Sequence, residues 1–514
     1  MTEQTIEAPP IEAPPTPERR VKKPRPPVSS LVHTYRWVLA AAALLLLSLA
    51  IVLWARTRPG YDPYGWLVWG KLTIHLKLDT NGAPSWKPLP FLFTAPLALA
   101  GHYALWLWMV VSVAISLSGP VFAWRIAFRL TGADPARRYA AYAAGLFAAL
   151  LVLGMADPVG HFNYTHYVLS AESDTMIVSI CLAAIDCHLC GRHRWALWLW
   201  WLGALGRPEV WPYWALAGLW LWRSDPGYRR WLIASVVLLL VLWFGIPGIT
   251  SKSFLTASNI AENSPRAVHG NKVIGTIDRF LELEATPVWI AALATVALAA
   301  YRRDRAILLL VAGAVLWVLI EVAFALHGFP AVPRYMFEPG AIVAVLAGVF
   351  VGWVILYLPA LLAGLARRLS SLRIGSSLAT QLGGWGTAIA VVVIAGSMIP
   401  AARHQLRLER ADLSQQRTRT VVLGRLSAVV KRLGASRILA CGQPHIPIAY
   451  QSVLAWDMDI KVGQLYVSQA AEQLHPHPLV NIYPIRGLGW KVFPSHVTAA
   501  SASRCNALSL TYRP

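Results

Sequence analysis

The sequence predicts a polytopic α-helical membrane protein with a small α/β domain at its C-terminal end. Of its 514 residues, 56% are hydrophobic and 14% are charged, whereas a soluble domain has about 25% charged residues. Long apolar runs such as 231–249 and 288–300 approach the roughly 20 residues that cross a bilayer. The last part, 401–514, changes to mixed polar and apolar sequence. Together these features predict a multi-pass protein of the inner or plasma membrane.

Positive charge collects between the apolar runs. The formal net charge is +21, which for a soluble protein would suggest nucleic-acid binding. Here the arginines and lysines lie in short loops, as they do on the cytoplasmic side of membrane proteins. These loops are RRVKKPR (19–25), 125–138, GRHR (191–194), 223–230, YRRDR (301–305) and ARRLSSLR (366–373). Orientation in the membrane explains this pattern, and no nucleic-acid partner is predicted.

The basic loops also predict the path of the chain. Residues 1–34 are rich in proline and charge, which predicts a disordered cytoplasmic tail, and the first apolar run is expected to be retained rather than cleaved. If the chain crosses the membrane once between each loop and the next, it makes about eleven membrane segments within a transmembrane domain, 35–400. The N-terminus is then inside and the C-terminus outside, with outer loops at 56–88, 156–174, 250–287 and 327–335.

One apolar stretch, 195–222, has basic loops at both ends. Both ends inside would make it a hairpin of two short helices, with its tip at GRPEVWP. Pro208 and Pro212 suit a broken turn, and Arg207 could pair with Glu209 within it. A single span is the alternative.

The C-terminal part, 401–514, is predicted to be an extracytoplasmic α/β domain. An amphipathic helix pattern runs through LSQQRTRTVVLGRLSAVVKRLG and stops at Gly434. SRILACG, QLYVS and ALSLTYR have the composition of strands. Cys441 ends the first of these strands and Cys505 precedes the last, so neighbouring strands would let the two form a disulfide, which persists outside the cytoplasm.

Ionisable and aromatic residues gather in the predicted outer loops. Ionisable groups at a membrane edge are costly and are therefore functional candidates. Asp62, Glu172 and Arg334 stand out because each lies next to an apolar run. The other candidates in these loops are Lys87, Asp157, His161, Asp174 and His327, with Trp66 and Trp86 among the aromatic residues.

Four stretches give the chain a resemblance to a known superfamily. In order they are YDPYGWLVWG, AESDTMIVSICLAA, ALGRPEVWPYW and PRYMFEPGAI. Their order, spacing and predicted side resemble the GT-C integral-membrane glycosyltransferases, most closely the protein mannosyltransferase and aminoarabinose transferase branch, over about 35–400. The resemblance implies transfer of a sugar from a polyprenyl-phosphate carrier to a glycan, lipid or protein acceptor of the cell envelope. The family often has adjacent acids where Asp62 is followed by Pro63, so no metal is assigned to this loop.

This activity gives the candidates roles. Asp62 would be the base that takes the acceptor's proton, although an aspartate there could instead cap the helix that follows. Arg334, with Lys87 and His327 as weaker candidates, would bind the donor phosphate. The acceptor or a cation would be positioned by Glu172, Asp174, Asp157 and His161. Trp66 and Trp86 would stack on sugar, unless they belong to the interfacial aromatic belt.

The sequence also bears on metal binding and on two alternative functions. CHLC (187–190) has no second cysteine pair at zinc-finger spacing, so no metal is predicted, and a divalent cation at the acidic residues is the alternative. A transporter or flippase of a lipid-linked glycan would be expected to show paired broken helices in two repeats, whereas the sequence shows one broken hairpin. A non-catalytic envelope-assembly protein, acting through 401–514, is the other alternative.

Overall fold

The computed structural model describes residues 28–512, except 83, 133–137, 263, 370–375, 468–476 and 497–498. Most of the predicted disordered tail, 1–27, therefore lies outside the described residues. The tail prediction is wrong at its end, because 28–34 already belong to the first helix. That helix crosses the boundary between two units of the chain, Met1–Ala43 and Leu44–Pro514. The candidate site lies in the second unit.

The described residues are mostly helical. The first half contains α1 (Val28–Ala55), α2 (Tyr61–Ile74), α3 (Pro88–Leu97), α4 (Ala104–Thr131), α5 (Arg138–Gly154), α6 (Tyr164–Leu169), α7 (Ser173–Leu189), α8 (His193–Gly206), α9 (Trp211–Ser224) and α10 (Arg229–Leu240). The second half contains α11 (Ile246–Thr250), α12 (Thr256–Ala261), α13 (Lys272–Leu281), α14 (Thr286–Arg302), α15 (Arg305–Leu326), α16 (Phe337–Leu369), α17 (Ser376–Leu433), α18 (Ala435–Cys441), α19 (Gln451–Met458) and α20 (Ala499–Asn506). A short hairpin, β1 (Ala156–Asp157) and β2 (Phe162–Asn163), precedes α6.

Several helices are long and apolar enough to cross a membrane. Among the described residues there are six such segments, or seven if α13 and α14, which meet at 95°, form one span. The six are Tyr35–Ala55, Pro88–Thr131, Pro226–Thr250, Arg305–Leu326, Pro333–Leu365 and Gly384–Leu433. The predicted eleven segments also counted shorter helices, among them α5, α7, α8 and α9. A multi-pass membrane protein is therefore supported, while the number of crossings stays a prediction.

The hairpin predicted at 195–222 is present. α8 and α9 have 14 residues each and pack against each other, with a single 3₁₀ turn, Pro208–Val210, between them. At 1.5 Å per residue each helix is about 21 Å long, short of the ~30 Å hydrocarbon layer. The break leaves Arg207 in an extended conformation, and its Nη1 lies 3.5 Å from Glu209 Oε1. The predicted pairing of these two residues is confirmed.

Small residues bring α16 close to α5. A Cβ on Gly348 would lie 2.5 Å from the backbone oxygen of Ala144 and 2.9 Å from the Cβ of Ala148. Such contact needs glycine on one helix and alanine on the other, as is common where membrane helices pack. α16 also packs against α14 and α4. This packing fixes the N-terminal end of α16, which carries part of the site.

The C-terminal part contains a mixed sheet. α17 has 58 residues and joins the last apolar segment to the amphipathic pattern in one helix, ending before Gly434, whose φ is 82°. The strands β3 (Gln443–His445), β4 (Leu479–Ile485), β5 (Gly489–Ser495) and β6 (Leu510–Tyr512) lie in that order. β3 pairs with β4 in parallel, and the other pairs are antiparallel.

Two of the three predicted strands are wrong. SRILACG forms α18, with Ile438 and Cys441 buried three residues apart on one helical face. In the described part of QLYVS, Gln464 ends a 3₁₀ turn and only Tyr466 makes a β-bridge, to His445. The third prediction is confirmed by β6. Cys441 and Cys505 are disulfide-bonded, with their Cα atoms 5.5 Å apart.

The C-terminal part contacts α2, the helix that carries Asp62. The Tyr61 hydroxyl donates to Gln451 Oε1 at 2.9 Å, and Lys71 Nζ lies 2.9 Å from Asp459 Oδ1. Asp79, beyond the end of α2, pairs with Lys461 at 3.2 Å. α19 also packs directly on α2. The helix that carries Asp62 is therefore held in part by residues of the C-terminal part.

Candidate functional site

Four chain segments bring acids and bases together at the ends of α2, α3, α7 and α16. We call Asp62, Lys87, Glu172, Asp174 and Arg334 the acid–base cluster. The backbone N–H of Gly60, just before α2, donates to the carbonyl of Ser170 at 2.7 Å and so ties two of the segments together. A Cβ on Gly60 would lie 2.0 Å from Glu172 Oε1. A larger residue at this position would therefore displace the Glu172 carboxyl.

Glu172 is a buried acid, and one of its carboxyl oxygens has no hydrogen-bond partner among the described residues. The residue is 7% exposed, and Oε2 has no hydrogen-bond partner among the described residues. Burial raises the pKa of Glu172 well above its usual range, and the negative charge of Asp62 raises it further, against the opposing charges of Arg334 and Lys87. The neutral form of Glu172 is therefore favoured, and a neutral carboxyl can donate a hydrogen bond.

Asp62 is the more accessible acid. It is half-buried and lies in the first turn of α2. Gly60 is the N-cap of this helix, and no side chain caps it, so the alternative role of Asp62 as a cap is wrong. No salt bridge or side-chain hydrogen bond joins Asp62 to another residue in the part of the chain described. Its carboxylate can therefore accept a proton or a hydrogen bond from a substrate.

Asp174 organises the cations. It is buried in the first turn of α7 and bonds directly to Arg207 Nη2. Arg334 Nε lies 3.9 Å from the same carboxylate oxygen, Oδ1. Two guanidinium groups thus converge on one acid, which is already committed to them. Asp174 positions Arg334 and is not free to act as a base.

The two cations of the cluster keep part of their surface open. The Arg334 side chain is 18% exposed, and its guanidinium lies 5.6 Å from the ring centre of Tyr167 and 5.7 Å from that of Tyr335. Lys87 is half-buried; its Nζ donates to Ser173 Oγ at 3.2 Å and lies 5.8 Å from the ring centre of Trp66. Both groups retain N–H donors suited to an anion.

Three other candidates lie apart from the cluster. Asp157 is buried and accepts hydrogen bonds from the Tyr167 hydroxyl and, at 3.0 Å, from the N–H of Gly160. It therefore helps to fix the position of Tyr167. His161 is exposed in the turn between β1 and β2. His327 is exposed at the end of α15, with Nδ1 2.8 Å from the carbonyl of Ala323.

The proposed sugar-stacking residues are core residues. Trp66 is 0% and Trp86 1% exposed. Trp86 packs on Trp69 and Phe91, and its indole N–H donates to the carbonyl of Leu242 at 2.9 Å. Neither ring presents a face to solvent, so the stacking role is wrong for this conformation. Their position in a predicted loop suggested an interfacial or sugar-binding role, but burying two large aromatic side chains stabilises the core.

Sequence reasoning named Glu209 only as a partner of Arg207 and missed two other buried acids, Glu321 and Glu338. Glu209, Glu321 and Glu338 are 5%, 1% and 5% exposed, and Arg207 Nε lies 4.0 Å from Glu338 Oε1. Arg207 also stacks over Tyr335 at 4.1 Å. The signal was available, because Glu321 and Glu338 are acids inside long apolar runs, which are functional candidates on energetic grounds. Among the described residues, no group of three or more His, Cys, Asp or Glu is arranged to hold a metal ion.

Comparison with known proteins gives a similarity of structure without a similarity of sequence. No protein-family model and no curated protein matches the sequence. The fold is similar to the crystal structure of ArnT from Cupriavidus metallidurans in the apo state, with a TM-score of 0.47 and 15% sequence identity over 88% of this chain and 93% of that one. A similarity of this size says nothing about what this chain binds or transfers.

Proposed function

We propose that this protein is a membrane glycosyltransferase that moves a sugar from a polyprenyl-phosphate donor to a cell-envelope glycan, lipid or protein at the outer face of the membrane. The observation that carries the proposal is the acid–base cluster. An accessible carboxylate, a protonated carboxyl and two cations meet where apolar helices end. A lipid phosphate and a polar acceptor can both reach such a place, because the phosphate stays at headgroup level while its hydrocarbon tail remains in the bilayer.

The two carboxyls take different roles. Asp62 accepts the proton of the acceptor hydroxyl as that oxygen attacks the anomeric carbon of the sugar. Glu172, held neutral by its surroundings, donates a hydrogen bond to a substrate oxygen. Two acids whose environments separate their protonation states are a common arrangement in sites that need a base and a donor together.

The cations act on the leaving group. When the bond between the anomeric carbon and the phosphate oxygen breaks, the lipid phosphate leaves with the bonding electrons and its charge increases. Arg334 offers a planar pair of donors for this charge, and Lys87 offers a point charge. Asp174 and the rings of Tyr167 and Tyr335 hold the guanidinium in place. Groups preset for a developing charge stabilise the transition state more than the ground state.

The test is Asp62→Asn. The variant keeps the size of the side chain but removes the base, so transfer from a purified polyprenyl-phosphate sugar should fall by about 10²–10⁴-fold. Asp304→Asn is the matched control, because Asp304 caps α15 through its side chain and asparagine caps about as well. Near-normal transfer by Asp62→Asn, at equal amounts of folded protein, would remove Asp62 from catalysis.

A further inference from the structure

A cavity of about 360 Å³ lies among α7, α8, α9, α15 and the start of α16. Its walls are mainly apolar and include Leu182, Trp200, Leu310 and Trp317. Residues from Ala306 to Trp317 of α15 line it, a stretch that rises about 16 Å at 1.5 Å per residue. This volume is within the range of small-ligand sites, and the shape and lining suit a single hydrocarbon chain.

One end of the cavity carries a polar group without a partner. Glu338 lines the cavity and is 5% exposed, and neither of its carboxylate oxygens has a hydrogen-bond partner among the described residues. Arg207 is the cation that contacts it, with Nε 4.0 Å from Glu338 Oε1. At the other end, His188 and His193 line the cavity with their Nδ1 atoms 3.2 Å apart, so these rings satisfy each other. Glu338 is therefore the residue in the cavity wall that a ligand could hydrogen-bond.

The charges around Glu338 select the sign of that ligand. Arg207 contacts Asp174, Glu209 and Glu338, and Arg334 contacts Asp174. With Glu321, which lies against Glu209, four acids face two guanidinium groups, and buried acids in excess must be neutralised by protons or by a cation. A proton shared in the hydrogen bond between Glu321 and Glu209 neutralises one of the two excess acids. An ammonium group would neutralise the other, whereas a phosphate placed here would add like charge.

We propose that this cavity binds an amphiphile that has one long alkyl chain and a protonated amine, with the amine hydrogen-bonded to Glu338 and the chain along α15. No residue of the acid–base cluster lines this cavity, although Arg207 contacts both Glu338 and the cluster's Asp174. The amine site does not rest on the proposed transferase function, because its test is a binding measurement. Loss of transfer in Asp62→Asn and loss of amine binding are separate outcomes.

The experiment uses the full chain in phosphatidylcholine nanodiscs. The probe is a long-chain primary amine with a photoreactive diazirine in its chain, competed by the unlabelled amine, alcohol and phosphate of equal chain length. Labelling should map to peptides of α7, α9 and α15. A charge-assisted hydrogen bond contributes about 1.5–3 kcal/mol, so the amine should compete at concentrations about 10-fold or more below those of the alcohol and the phosphate.

Substitutions decide whether Glu338 is responsible. Glu338→Gln should bring the three competitors within about 2-fold of each other, and Glu338→Asp, which keeps the charge, should retain the preference with weaker binding. Ala314→Trp should abolish labelling, because Ala314 lines the cavity and the indole would block the path of the alkyl chain. Glu284→Gln is the matched control, since Glu284 has an unpartnered buried oxygen but does not line the cavity.

A further competition experiment tests which class of lipid supplies the amine. An ethanolamine lysophospholipid that competes as well as the alkylamine would identify a bilayer phospholipid as the ligand, and one that fails to compete would identify a lipid amine without phosphate. Both results support the site. Equal competition by phosphate and amine in the wild type, an amine preference that persists in Glu338→Gln, or undiminished labelling of Ala314→Trp would each overturn the proposal.

Discussion

Glu172 shows how one residue's surroundings set its chemistry. A glutamate next to an apolar helix could be solvated, paired or protonated, and the sequence leaves all three open. Its carboxyl fills the space beside Gly60, out of water and within the field of Asp62. Desolvation dominates, so the neutral form is favoured. In the proposed mechanism, Glu172 is therefore the hydrogen-bond donor and Asp62 is the base.

The raised pKa of Glu172 predicts a pH-dependent stability. Between the usual carboxyl pKa and the raised folded pKa, the unfolded chain has lost the Glu172 proton while the folded protein keeps it. The folded protein therefore binds more protons, and the contribution of this group to the free energy of unfolding falls as pH rises, by about 1.4 kcal/mol per unit. Glu172→Gln should remove this slope, as measured by unfolding midpoints between about pH 5 and 8.

The control for this measurement is Glu282→Gln, at an exposed glutamate, which should follow the wild type across the pH series. If Glu172→Gln also runs parallel to the wild type, Glu172 is ionised in the folded protein and cannot be the hydrogen-bond donor.

Arg334 gives a second prediction at this scale. Arg334→Ala removes a charge-assisted contact with phosphate, which contributes about 1.5–3 kcal/mol, so kcat/KM for the lipid-linked donor should fall about 10–100-fold. Arg334→Lys should be intermediate, because lysine keeps the charge without the planar fork. Steady-state kinetics at varied donor concentration measure both.

His327→Ala is the control for the phosphate assignment. His327 is exposed and contacts a carbonyl of its own helix, so its removal should change kcat/KM by less than about 2-fold. A kcat/KM for Arg334→Ala equal to that of wild type would mean that the guanidinium serves Asp174 alone.

Among helices, close packing is set by single glycines. Gly348→Ala on α16 would place a methyl group 2.5 Å from a backbone oxygen of α5, and backbone cannot rotate away as a side chain can. We expect a loss of about 1–3 kcal/mol in stability, as for other overpacked cores. Gly364→Ala on the same helix meets nothing within 4 Å and should stabilise by about 0.5–1 kcal/mol, because alanine is the better helix former. Thermal unfolding in detergent compares the pair, and equal midpoints would contradict the packing argument.

Elements differed in how far the sequence could predict them. The hairpin of α8 and α9 was predictable because basic loops and two prolines mark it locally. α18 was not, since seven residues with Ile438, Leu439 and Cys441 carry too short a pattern to separate a helix from a strand. The strands β4 and β5 depend on pairing with distant chain. In the site, Asp62 and Arg334 were visible beside apolar runs, but the burial of Trp66 and Trp86 required the packed core.

For the whole molecule, orientation is the assumption on which the site's location depends. The basic loops predict that a reporter enzyme fused at Pro514 is active outside the cytoplasm and that one fused at Arg303 is not. Alkaline phosphatase, which needs an oxidising compartment, and a cytoplasmic fluorescent protein at the same two positions provide opposite readouts. The reverse pattern would move the acid–base cluster to the cytoplasmic face and remove the reason for a lipid-linked donor.

The contacts between α2 and the end of the chain bear on how the protein is made. α2 leaves the ribosome before Gln451, Asp459 and Lys461, which hold it or the segment after it. If residues 401–514 cross the membrane as the charges predict, the apolar helices before them can be inserted while the helix bearing Asp62 still lacks these contacts. We therefore expect the proposed transfer activity only after residues 451–461 have been made and have crossed the membrane.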